Sequence, residues 1–198
     1  MLKKKLGVEA VEMDWPDDVE ELKDYYKVPT TLIIPPGCEY VGTWTFYFCD
    51  NLEKVVIPES VGWIGEGAFE WCKRLKEVEI SNGCKRIGAR VFAGCMKIEE
   101  IVIPGSVKYI RMYAFSECMN LKKVNIPEGV MLIENSAFRN CKNLEEVVIS
   151  KSVSDIGSFA FSGCTKAVVT LEKPESEFEY FGYRAFGGCK RVKLVIVC

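Results

Sequence analysis

The chain has 198 residues, of which 48% are hydrophobic and 27% charged, and its formal net charge at pH 7 is −2. This composition is ordinary for a soluble domain, and the balanced charge gives no electrostatic reason to expect binding to nucleic acid or to an anionic membrane. No apolar run is long enough to span a bilayer, and acidic residues follow the basic run at residues 3–5, so no secretory leader is predicted. The sequence predicts a cytoplasmic location, or an extracellular or cell-surface location if a leader has been removed.

Residues 1–30 depart from the pattern of the rest of the chain and are predicted to form an N-terminal cap. Leu6 and Val8 favour a short edge strand. Trp15 and Pro16, with acidic residues around them, favour the start of a helix. A small α-containing cap of this kind would cover the first unit of a repeat array.

A pattern anchored on phenylalanine then repeats almost to the end of the chain. The anchors follow one another at intervals of 23 residues, and the last follows after 25: Phe46, Phe69, Phe92, Phe115, Phe138, Phe161 and Phe186. A cysteine stands three residues after each anchor: Cys49, Cys72, Cys95, Cys118, Cys141, Cys164 and Cys189. Apolar residues two apart, such as Val55 and Ile57, then predict a short strand, and a second apolar pair, here Val61 and Ile64, follows it. Each copy is therefore predicted to be one short coil.

A unit this short cannot bury its own apolar side, so the copies must stack and share one core. The recurring motif V-x-x-I-G-x-x-A-F-x-x-C-x-x-L-x-x-V-x-I-P resembles the BspA-type (treponemal-type) leucine-rich repeat family. The resemblance implies a repeat solenoid that is mainly β, a leucine-rich-repeat-like right-handed coil of short parallel strands, with about seven copies over residues 31–198. It also implies a relation to surface adhesins, which attach cells to host cells and extracellular matrix.

Two irregularities occur late in the chain. Residues 173–177 form an insertion that is predicted to be a surface loop, with Phe178 and Phe181 resuming the core. In the last copy, Val195 and Val197 are assigned to the strand pair, and no residues remain to cover the final coil. An open strand edge has unpaired N–H and C=O groups that can pair with a strand of another chain. We therefore expect the last coil to be covered by a partner, or by the same coil of a second copy in an end-to-end homodimer.

The ten cysteines are predicted to be buried free thiols. Equivalent residues of neighbouring parallel strands point the same way, which does not suit the geometry of a disulfide. The chain has no C-x-x-C motif and no histidine, so neither a metal site nor the usual base for a nucleophile is predicted. Acidic residues and lysines fall at variable positions, which are expected to be exposed. We therefore expect a non-enzymatic protein with no cofactor and no metal.

The variable columns should form stripes along the solenoid. Between the paired strand residues stand Ile33, Val56, Glu79, Val102, Asn125, Val148, Thr170 and Ile196. The candidate partner-binding residues are Tyr40, Trp63, Arg86, Tyr109 and Tyr180 in a second stripe, and Trp44 and Tyr113 two residues before an anchor phenylalanine. Their side chains are of the types enriched at binding hot spots, although strand propensity and partial burial of the rings explain the second stripe equally well.

Two functions of different classes follow from these observations. The first is a protein-binding module that holds one macromolecular partner on a face of the solenoid, as an inhibitor or effector. The second, implied by the family resemblance, is an adhesin fragment or relative that binds host cells or extracellular matrix.

Overall fold

The computed structural model describes residues 30–195 of the chain. Two sets of strands alternate along this part of the sequence. The longer strands are β1 (Thr31–Ile33), β3 (Lys54–Ile57), β5 (Glu77–Ile80), β7 (Glu100–Val102), β9 (Lys123–Ile126), β11 (Glu146–Ile149), β13 (Val168–Leu171) and β15 (Arg191–Leu194). The two-residue strands are β2 (Tyr40–Val41), β4 (Trp63–Ile64), β6 (Arg86–Ile87), β8 (Tyr109–Ile110), β10 (Leu132–Ile133), β12 (Asp155–Ile156) and β14 (Tyr180–Phe181). The predicted cap, apart from Thr30, lies outside the described residues.

Each strand pairs in parallel with the equivalent strand of a neighbouring coil, so that Val55 lies beside Val78. The seven two-residue strands form one continuous sheet, called here the narrow sheet, and the longer strands form a three-stranded and a five-stranded sheet, called here the wide sheets. The result is a parallel β-solenoid of about seven turns with a 23-residue period. This confirms the fold predicted from the repeat.

The anchor phenylalanines form the centre of the core. Their rings stack from coil to coil with centroids 4.9 to 5.6 Å apart. The rings of Phe69, Phe92, Phe115, Phe138 and Phe161 are fully buried. Burying a side chain of this size contributes about 1.5 to 3 kcal/mol, and the column repeats that contribution in each coil whose anchor is buried. The neighbouring strand pairs, such as Val55 and Ile57, are buried on the same side.

Tight turns on either side of each anchor form a third surface, called here the turn face. Residues two before and two after the anchor take positive φ values, as at Arg90 (φ 56°) and Gly94 (φ 71°). Residues other than glycine at such positions are strained by roughly 1 kcal/mol or more. Gly67 is needed for a second reason, because a Cβ atom there would lie 2.2 Å from the indole ring of Trp44.

The last coil differs from the prediction. Strand β15 places Val192 beside Val169 and Leu194 beside Leu171, so the assignment of Val195 and Val197 to the strand pair is wrong. Lys193, and not Ile196, continues the column between the paired residues, and Ile196 and Val197 lie outside the described residues. The physical reason is a shorter connection: Val192 follows Cys189 by three residues, whereas Val169 follows Cys164 by five. In the other coils an apolar residue such as Leu75 stands three positions after the cysteine and before the strand. In the last coil that position is already Val192 of the strand, so no such residue is present.

The insertion at residues 173–177 lies on the surface and contains one 3-10 turn, Glu175–Glu177. Phe178 then returns to the core, where it is 9% exposed, and its ring lies 5.5 Å from that of Phe181. Both features agree with the prediction.

The wide face is divided between β5 and β7, which are neighbours along the solenoid but belong to separate sheets. Lys54 faces Glu77 on one side of the division, and Glu100 faces Lys123 on the other. Glu77 and Glu100 are one repeat of 23 residues apart, so they occupy equivalent positions on the two sides of the division. Like charges at facing positions weaken strand pairing.

Candidate functional site

The second stripe of the sequence forms a row along the narrow sheet. Cross-strand pairing places its members side by side, in the order Tyr40, Trp63, Arg86, Tyr109, Leu132, Asp155 and Tyr180. Four of the candidate residues, from Tyr40 to Tyr109, are therefore consecutive, whereas Leu132 and Asp155 separate Tyr180 from them. The paired residue that follows each of them, such as Ile64 or Ile110, is buried, except for the half-buried Phe181, and fixes the orientation of the row.

The exposed part of the row begins at Trp63. The side chains of Trp63 (41% exposed), Arg86 and Tyr109 (37% exposed) face outwards. Tyr40 is half-buried, and its ring stacks on that of Trp63 at a centroid distance of 4.8 Å and an interplanar angle of 12°. Such a stack holds the indole in one orientation without covering both of its faces. We call Trp63, Arg86 and Tyr109 the aromatic row.

Trp44 and Tyr113 lie on the turn face and so do not join the narrow sheet. Trp44 is 40% exposed and meets Tyr47 edge to face at 5.4 Å. Tyr113 is half-buried, and the guanidinium of Arg90 lies 4.8 Å from the centre of its ring. The candidate residues therefore occupy two surfaces of the solenoid.

The cysteine column packs beside the phenylalanine column. Cys72 through Cys164 are buried, whereas Cys49 and Cys189 at the two ends are half-buried. Burial raises the pKa of Cys118 to about 12, so its thiol is protonated at neutral pH. At Cys49 the effect of the adjacent Cys72 side chain outweighs that of burial, and the pKa is lowered. Thiols that are protonated and buried in this way act as packing groups and not as nucleophiles.

Glu70 is a residue that reasoning from the sequence missed. Acidic residues at variable positions were expected to be exposed, but Glu70 is 6% exposed, and that expectation is wrong for this side chain. Its Oε1 atom lies 3.8 Å from Nη1 of Arg90, and its Oε2 atom accepts no hydrogen bond from any residue in the described part of the chain. Burial raises the pKa of this carboxyl group, although the nearby Arg90 charge lowers it.

A depression of about 250 Å³ on the turn face lies next to Glu70. Its floor is made by small residues, Ala93 and Gly94, and its far end is formed by Arg139 and Asn140. The signal in the sequence was the column that contains Glu70, since the following coils carry Ala93 and Ser116 there. A long acidic side chain in one coil, with small residues at the same position of the next two coils, leaves a carboxylate beside a depression.

Residues 30–195 contain neither a metal-binding cluster nor a membrane-spanning helix. No group of three or more cysteine or carboxylate side chains within this range is arranged to hold a metal ion. No helix in the same range has the length and apolar character needed to cross a bilayer.

Comparison with known proteins identifies the repeat. The model of the BspA-type leucine-rich repeat region matches residues 12–122 and 108–198. A search of curated proteins gave no significant match. Among solved structures, a leucine-rich repeat protein of T. pallidum is 32% identical, with a TM-score of 0.76, and the match covers 83% of this chain and 78% of that protein.

Two further structures are similar. A leucine-rich repeat protein of Bacteroides ovatus is 29% identical with a TM-score of 0.70, and the match covers 87% of this chain but 52% of that protein. A leucine-rich cell surface protein of Faecalibacterium prausnitzii is 30% identical with a TM-score of 0.51, and the match covers 80% of this chain and 35% of that protein. The chain thus spans about half or less of these two relatives. The family model and the T. pallidum structure together show that this chain belongs to the BspA-type leucine-rich repeat family.

Proposed function

We propose that this chain is a non-enzymatic protein-binding module whose partner docks on the narrow sheet over the aromatic row. The observation that supports this most strongly is the register that sets Trp63, Arg86 and Tyr109 on three neighbouring strands. Their exposed side chains form a continuous surface of the residue types that contribute most at protein interfaces.

The chemistry of the row indicates what the partner presents. Arg86 has no ion-pair partner within residues 30–195, so its guanidinium is available to a carboxylate of another chain. Trp63 and Tyr109 flank it and offer ring surface that gains free energy when water is removed. We therefore expect a partner segment with an acidic side chain between two apolar ones.

The wide sheets are less suited to this role. The charged side chains that face outwards there already form ion pairs with each other, as between Lys123 and Glu146 at 2.9 Å, whereas apolar ones such as Val102 stand exposed between them. A partner that docked there would have to remove water from both charges of such a pair, and this costs free energy that the existing pairing does not recover.

A second candidate function is adhesion at a cell surface, with host cells or extracellular matrix as the target. The observation that favours it is the similarity to the Faecalibacterium prausnitzii protein, which is described as a cell surface protein. Immunofluorescence of intact source cells distinguishes the two: staining without permeabilisation supports the adhesin, and staining only after permeabilisation supports a module that acts inside the cell.

Site-directed photo-cross-linking tests the proposed surface. A photoreactive phenylalanine analogue is placed at position 63 or 109, and at position 148 of β11 as a control on a wide sheet. The proposal predicts that positions 63 and 109 capture the same protein, and that Arg86→Glu abolishes the capture. Equal capture from position 148, or capture that survives Arg86→Glu, would place the interface elsewhere.

A further inference from the structure

A second site, separate from the aromatic row, is indicated by the depression on the turn face. Side chains from four successive coils surround it, with Glu70 at one end and Asn140 at the other. Its volume of about 250 Å³ lies just below the roughly 300 Å³ at which sites for drug-sized ligands begin. The size therefore suits one small ring and excludes a folded segment.

The Glu70 carboxylate requires a hydrogen-bond donor. Its side chain is 8% exposed and lines the depression, and its Oε2 atom has no partner among the described residues. Arg90 does not fill this role, because the Nη1 to Oε1 distance of 3.8 Å is longer than a hydrogen bond and the guanidinium is held over the ring of Tyr113. Buried polar atoms without a partner are rare in folded proteins, so this one calls for a donor from outside the chain, either a water molecule or a ligand.

The remaining polar groups decide which donor fits. Two carboxylates, Glu70 and Glu117, and two guanidiniums, Arg90 and Arg139, line the depression, so their charges balance. A cationic ligand would meet the guanidiniums and an anionic ligand the carboxylates. A hydroxyl group both donates and accepts, and several hydroxyls on one ring can satisfy both kinds of group at once.

We propose that the depression binds a neutral saccharide unit, with one hydroxyl donating to Oε2 of Glu70 and others accepting hydrogen bonds from the guanidinium of Arg139 and the amide of Asn140. The half-buried ring of Tyr113 also lines the depression, and the Arg90 guanidinium lies over one of its faces. A single sugar in an open depression buries little surface, so binding of one unit is expected near the millimolar range.

Nuclear magnetic resonance titration of the whole ¹⁵N-labelled chain tests this site. Glucose, galactose, mannose and N-acetylglucosamine are the probes, and lysine amide is the cationic comparison. At least one sugar should cause saturable shifts of the Gly94, Glu117 and Asn140 amides. Glu70→Gln should weaken that sugar's binding about tenfold, because the acceptor loses its charge and the hydrogen bond becomes weaker. Arg139→Ala, at an exposed side chain, should also weaken it.

Ser162→Ala provides the matched control, because Ser162 occupies the same column as Glu70 but does not line the depression. This variant should bind the sugar as the unmodified chain does. The proposal is overturned if no sugar gives saturable shifts, if only lysine amide does, or if Glu70→Gln and Arg139→Ala retain full affinity while their spectra show an intact fold.

Discussion

The Sγ atom of Cys118 lies 3.2 Å from the backbone carbonyl oxygen of Phe92 in the coil before it. The same oxygen accepts the amide N–H of Cys95 at 3.1 Å, so both of its lone pairs are used. The contact between a thiol and the earlier anchor carbonyl recurs through the solenoid, at Cys72, Cys95, Cys141, Cys164 and Cys189. The cysteine column therefore connects successive coils through weak hydrogen bonds as well as by packing.

Replacing Cys118 with valine should show the value of this contact. The change adds volume to a filled core and removes the donor, so we expect Cys118→Val to lower the free energy of unfolding by roughly 1 to 3 kcal/mol. Cys38→Val is the control, because Cys38 is equally buried in a column that holds valine at Val61 and Val107 in other coils. It should cost less than about 1 kcal/mol. Equal losses in denaturant melts of the two variants would show that the thiol contact is incidental.

The reactivity of the thiols should follow their position in the column. Cys49 is half-buried with a lowered pKa, whereas burial raises the pKa of the fully buried Cys118 to about 12. We expect iodoacetamide at pH 7.5 to modify Cys49 well before Cys118, since the thiolate is the reactive form. In denaturant without reductant, all ten cysteines should be modified. Mass spectrometry that found Cys118 labelled first, or cysteines that remain paired in denaturant, would contradict this account.

The division of the wide face should close when its like charges are reduced. Glu100→Gln removes the repulsion across from Glu77, and the ion pair between Lys123 and Glu146 remains to hold β9 and β11 together. The free energy of unfolding should rise by a few tenths of a kcal/mol, and the amides of β7 should exchange more slowly with solvent. The matched change Glu146→Gln breaks an ion pair and should give no gain. If Glu100→Gln gives the same gain in concentrated salt, repulsion is not the cause, because salt screens exposed charges.

Glu70 should make the stability of the chain depend on pH. Its pKa in the folded state is raised by burial above the ordinary value of 4.5, so the folded state favours the protonated carboxyl group. The associated stabilisation is fully present below pH 4.5 and is lost as the pH rises through the folded-state pKa. Glu70→Gln should therefore be more stable than the unmodified chain at pH 7, and the difference should disappear below pH 4.5. A difference that is the same at pH 7 and pH 4 would mean that the charge of Glu70 is not responsible.

Much of the fold could be predicted because every coil repeats the same requirements. The spacing of Phe92 and Phe115 predicts the register of whole sheets, since parallel strands one period apart must pair residue for residue. The register of Val192 could not be predicted this way, because counting from Cys189 assumes a full-length connection that this coil lacks. The sequence does show that Glu77 is followed one period later by another glutamate, Glu100.

The candidate site was less predictable, because a column shows which side chains are neighbours but not how deeply each is buried. The pairing of Trp63 with Arg86 follows from the repeat alone. The burial of Glu70 does not, because it depends on how the surrounding turns pack. Trp44 and Tyr113 are assigned by the sequence to a separate column two residues before the anchor, and the turn geometry shows which surface that column occupies.

The affinity of the purified chain for the protein captured at positions 63 and 109 tests the central claim most directly. Isothermal titration calorimetry would compare the unmodified chain, the double variant Trp63→Glu with Tyr109→Glu, and Val102→Glu, whose side chain is 76% exposed on a wide sheet. The proposed interface predicts that the double variant binds at least about 100-fold more weakly, as expected for two hot-spot residues, while Val102→Glu binds normally and all three keep nearly the same Tm. Undiminished affinity of the double variant, or an equal loss in Val102→Glu, would show that the partner does not bind through the aromatic row.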